Sequence, residues 1–475
     1  MKTPTLFLLA ALVTTLTLTA QAANKSVTSG TVTETGQSYD NISSSSTSAL
    51  TVTGNQTLYR GTDINLDSSQ NNQYGAEVGA NAGLALTGGT VTTSNTRGHG
   101  IHLYGNNAHA TLDRVTISTE GRGARGLFLE NHATFTGTDL FIHTSGSAVN
   151  VSGTVFNAFG IFLTEYSSGT LLSATEDGNF IATTGDGARG IQVEENSTFT
   201  GSNITISTTG TGAHGLSVAA YGTANVSELY ISTTGVGAWG IRVEDHSTLT
   251  GTNLNLGSSS LRNAYGLHLS GSSVANLTDG YIYTSGSAAD GIELGNSSTL
   301  RVNNFNIFTY GNNAAGLRID SAATASVADS SFTTSGSAAH AIAVTGSGST
   351  LRELDTATVL KTTGANAHAI SVTGSAALTL GAGLNAVLPN NIAVTGSDSA
   401  VLHVAGGGTL TLNNVALSPY AASQLGADSW FLRVGPDGHG LINGALDTAG
   451  GNLWIESTGT LSVDTAAATV VSATG

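Results

Sequence analysis

The sequence contains no cysteine, four prolines and a single methionine, the initiator, among its 475 residues. Without cysteine the chain can form neither a disulfide framework nor a thiolate metal site. It has only 15 lysines and arginines against 31 aspartates and glutamates, so its net charge of −16 argues against nucleic acid as a partner. Charged residues make up 10% of the chain, which leaves few groups for a polar catalytic site.

The chain also lacks long hydrophobic runs, apart from one short run at its N-terminus. Lys2 supplies a positive charge, residues 6–18 are largely apolar, and Ala20-Gln21-Ala22 has the A-x-A form of a cleavage site. The run is too short and too rich in threonine to be a resident transmembrane helix. We therefore predict that residues 1–22 are a signal peptide and that the chain is exported.

Glycine, by contrast, is abundant, with 62 residues, and it marks a repeat. Between residues 186 and 256 the same pattern occurs almost three times: a corner, a G-[IL]-x-[VL] segment, a polar bend, and two short runs such as STFT and NITIST. The glycine of this segment, here called the repeat glycine, is found at Gly75, Gly100, Gly126, Gly160, Gly190, Gly215, Gly240, Gly266, Gly291 and Gly316, with Ala341 and Ala369 in the same slot. Most successive spacings are 25 or 26 residues, and a fixed period this short is typical of a solenoid.

Two aliphatic residues at positions i and i+2 follow each repeat glycine, as Ile191 and Val193 follow Gly190. This is the spacing of a strand with one apolar face. The residue between them varies widely, so we expect it to point to solvent. A later run, such as Ile206-Ser207-Thr208, predicts another strand, in which stacked threonines satisfy their hydroxyls along the ladder while their methyl groups pack inward.

Three strands and three corners in about 25 residues predict one turn of a parallel β-helix, an all-β fold in which each coil pairs with the coils above and below. We expect residues 23–73 to form an N-terminal capping region, because an uncapped solenoid exposes an open sheet edge. Residues 74–372 should form the regular β-helix. Residues 373–475, where the period fails, should form irregular coils and a C-terminal cap. The longer spacings between Gly126 and Gly190 predict loops near residues 149–158 and 165–179.

The signal peptide, the GA-[HRW]-G-[IL]-x-V corners and the NITISTTG-type runs together resemble the passenger region of bacterial autotransporters, the pertactin-like, AIDA-type group of β-helical adhesins. The resemblance covers the mature chain through its repeat style and not through an invariant functional motif. It implies a right-handed parallel β-helix displayed at or beyond the outer membrane. It also implies adhesion to a protein or glycan on a host or neighbouring cell, or self-association into aggregates.

The sequence departs from this family at its C-terminus, where the family carries a translocator barrel of alternating lipid-facing strands. This chain ends in TVVSATG. Three explanations stay open: a separate outer-membrane barrel serves the chain, the gene product is truncated, or the protein stays in the periplasm.

The residue immediately before each repeat glycine supplies our candidate ligand-binding residues. They are His99, Arg125, Arg189, His214, Trp239 and Tyr265. If these side chains point outward, they form a stripe of aromatic, histidine and arginine groups suited to stacking on sugars or contacting a protein. The alternative interpretation is that they pack over the corner and cover the backbone.

The sequence favours binding over catalysis. Parallel β-helices also occur in polysaccharide lyases and epimerases, so a polysaccharide-active enzyme is the alternative function. Such sites need clustered carboxylates with a basic residue, and no paired-Asp cluster recurs across adjacent coils. We expect the acids after the first strand, such as Glu130, Glu194 and Glu244, to be solvated surface charges and not a calcium site. We therefore predict no catalytic residue, no metal and no cofactor.

Overall fold

The computed structural model describes residues 22–41, 48–173, 175, 178–259, 263–381, 391–416, 424–448, 452–456, 458–464 and 470–471. Over these residues it is an all-β parallel solenoid of about 16 turns, with about 25 residues per turn and no helix. The predicted parallel β-helix is therefore confirmed. The predicted signal peptide lies outside the described residues except for Ala22, which belongs to a two-residue strand. None of the described residues forms a helix long and apolar enough to cross a membrane.

The first strand of each coil belongs to one parallel sheet, here called sheet 1. Its strands are Lys25–Val27, Leu50–Val52, Ala76–Val78, Ile101–Tyr104, Leu127–Glu130, Ile161–Leu163, Ile191–Val193, Leu216–Val218, Ile241–Val243, Leu267–Leu269, Ile292–Leu294, Leu317–Ile319, Ile342–Val344, Ile370–Val372, Ser399–Val404, Ser429–Val434 and Leu453–Ile455. Equivalent positions pair between coils: Ile191 lies beside Leu216, and Leu216 beside Ile241. This register places the same apolar face inward on every turn.

The second and third runs of each coil belong to another parallel sheet, sheet 2. In seven described coils they form one long strand, and these strands are Thr57–Ser68, Ala82–Thr93, Thr198–Thr208, Thr223–Thr233, Thr248–Ser258, Val274–Thr284 and Thr299–Thr309. The prediction of two separate runs is wrong for these coils. In six of these strands a single residue in the left-handed region bends the strand while the residues on both sides stay paired, and in Ala82–Thr93 Gly88 and Gly89 are both left-handed. Asn203 and Asn253, with φ of 51° and 55°, supply this bend, since asparagine tolerates that conformation.

In the other coils of sheet 2 the two runs are separate strands. These strands are Ala22–Ala23, Thr31–Thr35, Ser38–Asn41, His109–Asp113, Thr116–Thr119, Thr134–Thr138, Phe141–Thr144, Ser168–Leu172, Asn179–Thr183, Thr324–Ala328, Ser331–Thr334, Thr350–Leu354, Val359–Thr362 and Asn391–Val394. The second insertion predicted from the spacing lies between Leu172 and Asn179, within the range 165–179. Residues 174, 176 and 177 of this insertion lie outside the described residues.

The solenoid continues after residue 372, where the 25-residue spacing fails. Sheet 1 keeps its register there, with Ile370 beside Leu402 and Leu402 beside Leu432. A further parallel sheet, sheet 3, is made of Ala377–Leu380, Thr409–Ala416, His439–Asp447, Thr460–Asp464 and Val470–Val471. The spacing lengthens because residues are inserted between strands, while the strands themselves stay aligned.

The predicted protrusion near residues 149–158 is confirmed as an antiparallel hairpin of Val149–Val151 and Thr154–Phe156. It folds back toward an earlier coil, where the guanidinium carbon of Arg97 lies 3.9 Å from the centroid of the Phe156 ring. Such a contact between a cation and an aromatic face stabilises the position of the hairpin.

A polar cluster lies in the first coils, close to the N-terminal end of the apolar column. The Glu34 carboxylate accepts hydrogen bonds from Lys25 Nζ at 2.9 Å, from the Tyr59 hydroxyl at 2.9 Å and from the Tyr39 hydroxyl. Tyr59 is fully buried, so its hydroxyl needs this partner. The cluster joins four strands of sheets 1 and 2 at this end of the rod.

The core is a narrow column of aliphatic side chains from both sheets. Ile191, Val193 and Ile206 are at most 1% exposed. The repeat glycine lies against this column. A Cβ at Gly190 would lie 2.4 Å from Ile206 Cγ2 and 2.6 Å from the Gly215 carbonyl oxygen of the next coil. The corner thus carries glycine because the next backbone and a β-branched core residue occupy the space of a side chain.

The buried threonines that end the third run do not bond to one another. Thr208 Oγ1 donates a hydrogen bond to the Ala213 carbonyl oxygen at 2.7 Å, and Thr309 Oγ1 donates one to that of Ala314 at 2.9 Å. The predicted hydroxyl ladder is therefore wrong, because in most of these coils the hydroxyl bonds to the following corner of its own coil, whereas Thr119 and Thr144 have no hydrogen-bond partner among the described residues.

We expect Gly215→Ala to destabilise the rod and Gly295→Ala to leave it unchanged. A Cβ at Gly215 would meet Ile231 Cγ2 at 2.4 Å and the Gly240 carbonyl oxygen at 2.7 Å, whereas no atom of the described residues lies within 4 Å of a Cβ at Gly295. Overpacking of this kind costs about 1–3 kcal/mol. Thermal and urea unfolding measure both variants. Equal unfolding midpoints for the two variants would show that the coils can move apart at the corner to accommodate a Cβ without loss of stability.

We expect Thr208→Val to lower the free energy of unfolding by about 1–3 kcal/mol, because it removes a buried hydrogen bond to a backbone carbonyl. Thr144→Val is the matched control. Thr144 is equally buried, but its hydroxyl has no hydrogen-bond partner among the described residues, and the residue five positions on belongs to the hairpin. Its replacement should change stability by less than about 0.5 kcal/mol or increase it. Urea unfolding distinguishes the two, and a larger loss in the control contradicts the assigned role of the hydroxyl.

Candidate ligand-binding face of the rod

All six predicted site residues lie on the outer surface of sheet 1, here called the ladder face. It consists of two columns of side chains that run along the rod. The corner column holds the residue before each repeat glycine or its equivalent: Tyr74, His99, Arg125, Phe159, Arg189, His214, Trp239, Tyr265, Asp290, Ala315, His340, His368, Ala400 and Trp430. The strand column holds the middle residue of each strand: Glu77, His102, Phe128, Phe162, Gln192, Ser217, Arg242, His268, Glu293, Arg318, Ala343, Ser371, His403, Arg433 and Trp454.

The side chains of the corner column fold onto the strand column. His99 and His214 are only 6% and 7% exposed, and Arg125, Arg189, Trp239 and Tyr265 are half-buried. The strand column is covered as a result. The expectation that its residues point into solvent is wrong for Gln192 and Ser217, which are 1% and 0% exposed, because Arg189 lies over them. It is also wrong for His102, Phe128 and Phe162, which are buried against His99 and Arg125.

The N-terminal part of the ladder face is a stack of rings around one cation. The Arg125 guanidinium carbon lies 4.1 Å from the Phe128 centroid and 4.2 Å from the Phe162 centroid. His102 stacks on Phe128 at 4.7 Å between centroids. Burial lowers the pKa of Arg125 to about 10, so the group is still a cation at neutral pH, held by aromatic faces.

The middle of the ladder face is organised around Trp239. Its ring centroid lies 4.7 Å from that of His214, 4.4 Å from that of His268 and 5.5 Å from that of Tyr265. The indole Nε1–H donates a hydrogen bond to the Asn263 carbonyl oxygen at 3.0 Å. Both the apolar and the polar part of the indole therefore have partners within the fold.

The acids beside this face are ion-pair and hydrogen-bond partners. Glu130 lies 3.1 Å from His102, and Glu244 pairs with Arg242. Glu194 accepts a hydrogen bond from the Gln192 side chain at 2.9 Å, and burial raises its pKa. The interpretation of these acids as freely solvated charges is wrong, because the strand column supplies bases and an amide next to each of them. Within the described part of the chain no group of three or more potential ligands is placed to hold a metal ion.

The corner column has a backbone role that explains its histidines. His214 Nδ1 accepts a hydrogen bond from the backbone N–H of Trp239 in the next coil at 3.0 Å. His99, His340 and His368 do the same for the next coil, and the Asp290 carboxylate accepts the N–H of Ala315. An Nδ1 that accepts must belong to a neutral ring protonated at Nε2. These contacts agree with the alternative interpretation, in which the corner residues pack over the corner and cover the backbone.

Two sets of exposed aromatic residues were not among the predicted site residues. One, here called the aromatic patch, lies on sheet 2 and consists of Tyr230, Tyr281, Tyr283, Phe308 and Tyr310. Tyr281 and Phe308 have centroids 5.2 Å apart, as do Tyr283 and Tyr310, and Tyr310 is 49% exposed. The other is the pair Trp430 and Trp454. The outward positions of sheet 2 could have revealed the first set, whereas insertions between strands hide the second.

We expect acid to weaken the rod through the buried histidines. Burial lowers the pKa of His214 to about 2, whereas an unfolded histidine titrates near 6.5. Below pH 6.5 the unfolded chain binds a proton that the folded chain does not. The free energy of unfolding therefore decreases as the pH is lowered. His214→Asn keeps an acceptor oxygen and cannot titrate. Between pH 7.5 and 4.5 it should lose about 2–3 kcal/mol less stability than the unmodified chain.

Urea unfolding at the two pH values measures this difference, with His214→Ala as the control. The alanine variant lacks the acceptor and should be destabilised already at pH 7.5, because the Trp239 N–H loses its partner. Identical pH dependence in the asparagine variant and the unmodified chain would mean that His214 does not contribute to acid sensitivity.

Comparisons with known proteins support the fold. A chain in the cryo-EM structure of the Vag8–C1 inhibitor complex is similar, with a TM-score of 0.55, 16% identity, and coverage of 93% of this chain and 99% of that chain. The A-module of the Azotobacter vinelandii mannuronan C-5 epimerase AlgE4 aligns with a TM-score of 0.26 and 12% identity, over 87% of this chain and 91% of that chain, too weakly to carry an argument. No protein-family model and no curated protein matches the sequence. The likeness to the first chain shows a shared solenoid fold and no more.

Proposed function

We propose that this chain is an exported, passenger-type β-solenoid that mediates adhesion to a host or neighbouring cell, or self-association between cells. Three features support the proposal: the resemblance of its repeats to autotransporter passengers, the fold likeness to the passenger Vag8, and exposed aromatic rows on the rod. Its place of action is then the cell surface or the medium.

The aromatic patch is the observation that carries this proposal. Its rings stand on a sheet whose other outward residues are mostly serine, threonine, asparagine and glycine, such as Ser232, Asn255 and Gly257. Exposed aromatic clusters of this kind are typical of interaction sites, because the rings bury much area while losing little conformational entropy. Repetition at the strand spacing lets many weak contacts add along the rod.

The partner class follows from charge and from the fold neighbour. Vag8 was solved in complex with C1 inhibitor, a protein partner, and we propose a surface protein or glycan as the partner here. A net charge of −16 disfavours polyanions such as nucleic acid.

We propose no catalytic role, since the carboxylates of the ladder face, such as Glu244 and Glu293, already pair with Arg242 and His268. Release of unsaturated or reducing products from a polysaccharide panel would instead identify an enzyme.

We expect the double variant Tyr281→Ser, Tyr310→Ser to bind cells or to self-associate at least about tenfold more weakly, because two exposed ring contacts are removed. Binding of the fluorescently labelled chain to cells and sedimentation of the purified chain measure the two activities. Asn255→Ser is the matched control, since Asn255 lies in the same row beside Tyr281 and is exposed but not aromatic. Adhesion that is unchanged in the double variant would exclude the aromatic patch as the contact surface.

A further inference from the structure

The last coils of sheet 1 bring two tryptophans together at the C-terminal end of the ladder face. Trp430 lies beside Ala400 in the corner column, and Trp454 lies beside Arg433 in the strand column. Their ring centroids are 5.0 Å apart with 40° between the planes, and Trp454 is 46% exposed. Elsewhere on this face the indole of Trp239 packs between neighbouring rings, whereas Trp454 presents nearly half of its surface to solvent beside the half-buried Trp430.

The two indoles form the wall of an open pocket of about 510 Å³. Its other lining residues are Asp398, Arg433, Ile455 and Glu456. The polar side of the pocket is held in place before any ligand arrives. Arg433 donates hydrogen bonds to Glu456 Oε1 at 2.8 Å, to the Asp398 carbonyl oxygen at 2.7 Å and to the Asn366 side chain at 3.0 Å.

This combination of surfaces matches the chemistry of a sugar ring. The axial C–H groups of a pyranose form an apolar face that packs on an indole, while its hydroxyls bond to groups that can donate or accept. Four of the five Arg433 N–H groups are engaged by Glu456, Asn366 and Asp398, which leaves one as a donor for a sugar hydroxyl, and the Asp398 and Glu456 carboxylates supply acceptors. One guanidinium against two carboxylates gives the pocket a net charge of −1, which disfavours acidic sugars.

We propose that the pocket formed by Trp430, Trp454, Arg433, Asp398 and Glu456 binds a neutral pyranose unit of a glycan. The inference rests on the proposed binding function and names a ligand class for it. The site is separate from the aromatic patch, which lies on sheet 2. The rod then has two distinct binding surfaces, of which this one recognises a carbohydrate.

Tryptophan fluorescence tests the pocket directly, because the chain has only three tryptophans. In a Trp239→Phe background the signal reports only on Trp430 and Trp454. Titration with neutral oligosaccharides of glucose, galactose, mannose and N-acetylglucosamine should shift the emission of this protein. Adding Trp454→Ala should weaken the binding at least about tenfold, as measured by calorimetry, while Tyr310→Ala should leave it unchanged.

A second variant separates the ligand classes. Glu456→Gln keeps an oxygen acceptor for Arg433 and removes one negative charge, so neutral sugar should still bind within about threefold of the unmodified chain. A quaternary ammonium ligand would lose affinity in this variant, and preference for such a cation or for an acidic sugar overturns the proposal. Absence of any shift across the neutral panel also overturns it. Since Trp454→Phe preserves a ring, retained binding there and lost binding in Trp454→Ala exclude misfolding as the cause.

The result of the sugar-binding titrations can be distinguished from the result of the adhesion experiment. Cell binding by the unmodified chain with no response to neutral sugars would overturn the pocket and leave adhesion through the aromatic patch standing. Sugar binding that depends on Trp454 supports the pocket whatever the result for the Tyr281 and Tyr310 variant.

Discussion

Vertical stacking of equivalent residues is the constraint on which this structure depends. Each strand of sheet 1 hydrogen-bonds only to the strands of the coils before and after it, about 4.8 Å away, so every position repeats its environment on every turn. An inward position must therefore be filled by a side chain of similar size in each coil, as Leu216 and Ile241 follow Ile191. The corner glycine obeys the same constraint, because the carbonyl of the next coil occupies the volume of its missing side chain.

The same stacking organises the outer surface of sheet 1. Rings and cations on successive coils lie at the strand spacing, which is close to the distance at which aromatic rings pack face to face. His102, Phe128 and Phe162 form such a column, and Arg125 lies against it. Histidines before the repeat glycine also accept the backbone N–H of the next coil. Residue types that suggest a binding site thus stabilise the contacts between coils on this face.

We accordingly expect binding sites where the stacked side chains keep a face that no other side chain of the protein covers. The aromatic patch on sheet 2 and the pocket at Trp430 and Trp454 are such places, since their rings have stacked neighbours on one side and solvent on the other. A rigid rod with separate exposed surfaces binds by presenting them at fixed distances. This arrangement suits recognition of extended partners more than chemistry in an enclosed site.

The repeat period, the aliphatic pairs and the glycine corners were sufficient to predict the parallel β-helix from sequence, because they express the local constraint that every coil shares. They also located six candidate residues of the corner column and the insertion that forms the hairpin. Side-chain direction at a corner could not be predicted in this way, since strand alternation does not extend into a turn. Only the tertiary structure decided that His214 folds onto the strand column and accepts the Trp239 N–H, and that Thr208 bonds across its own corner. It also showed that Trp430 and Trp454 share one face, because their proximity depends on a register that insertions conceal in the linear sequence.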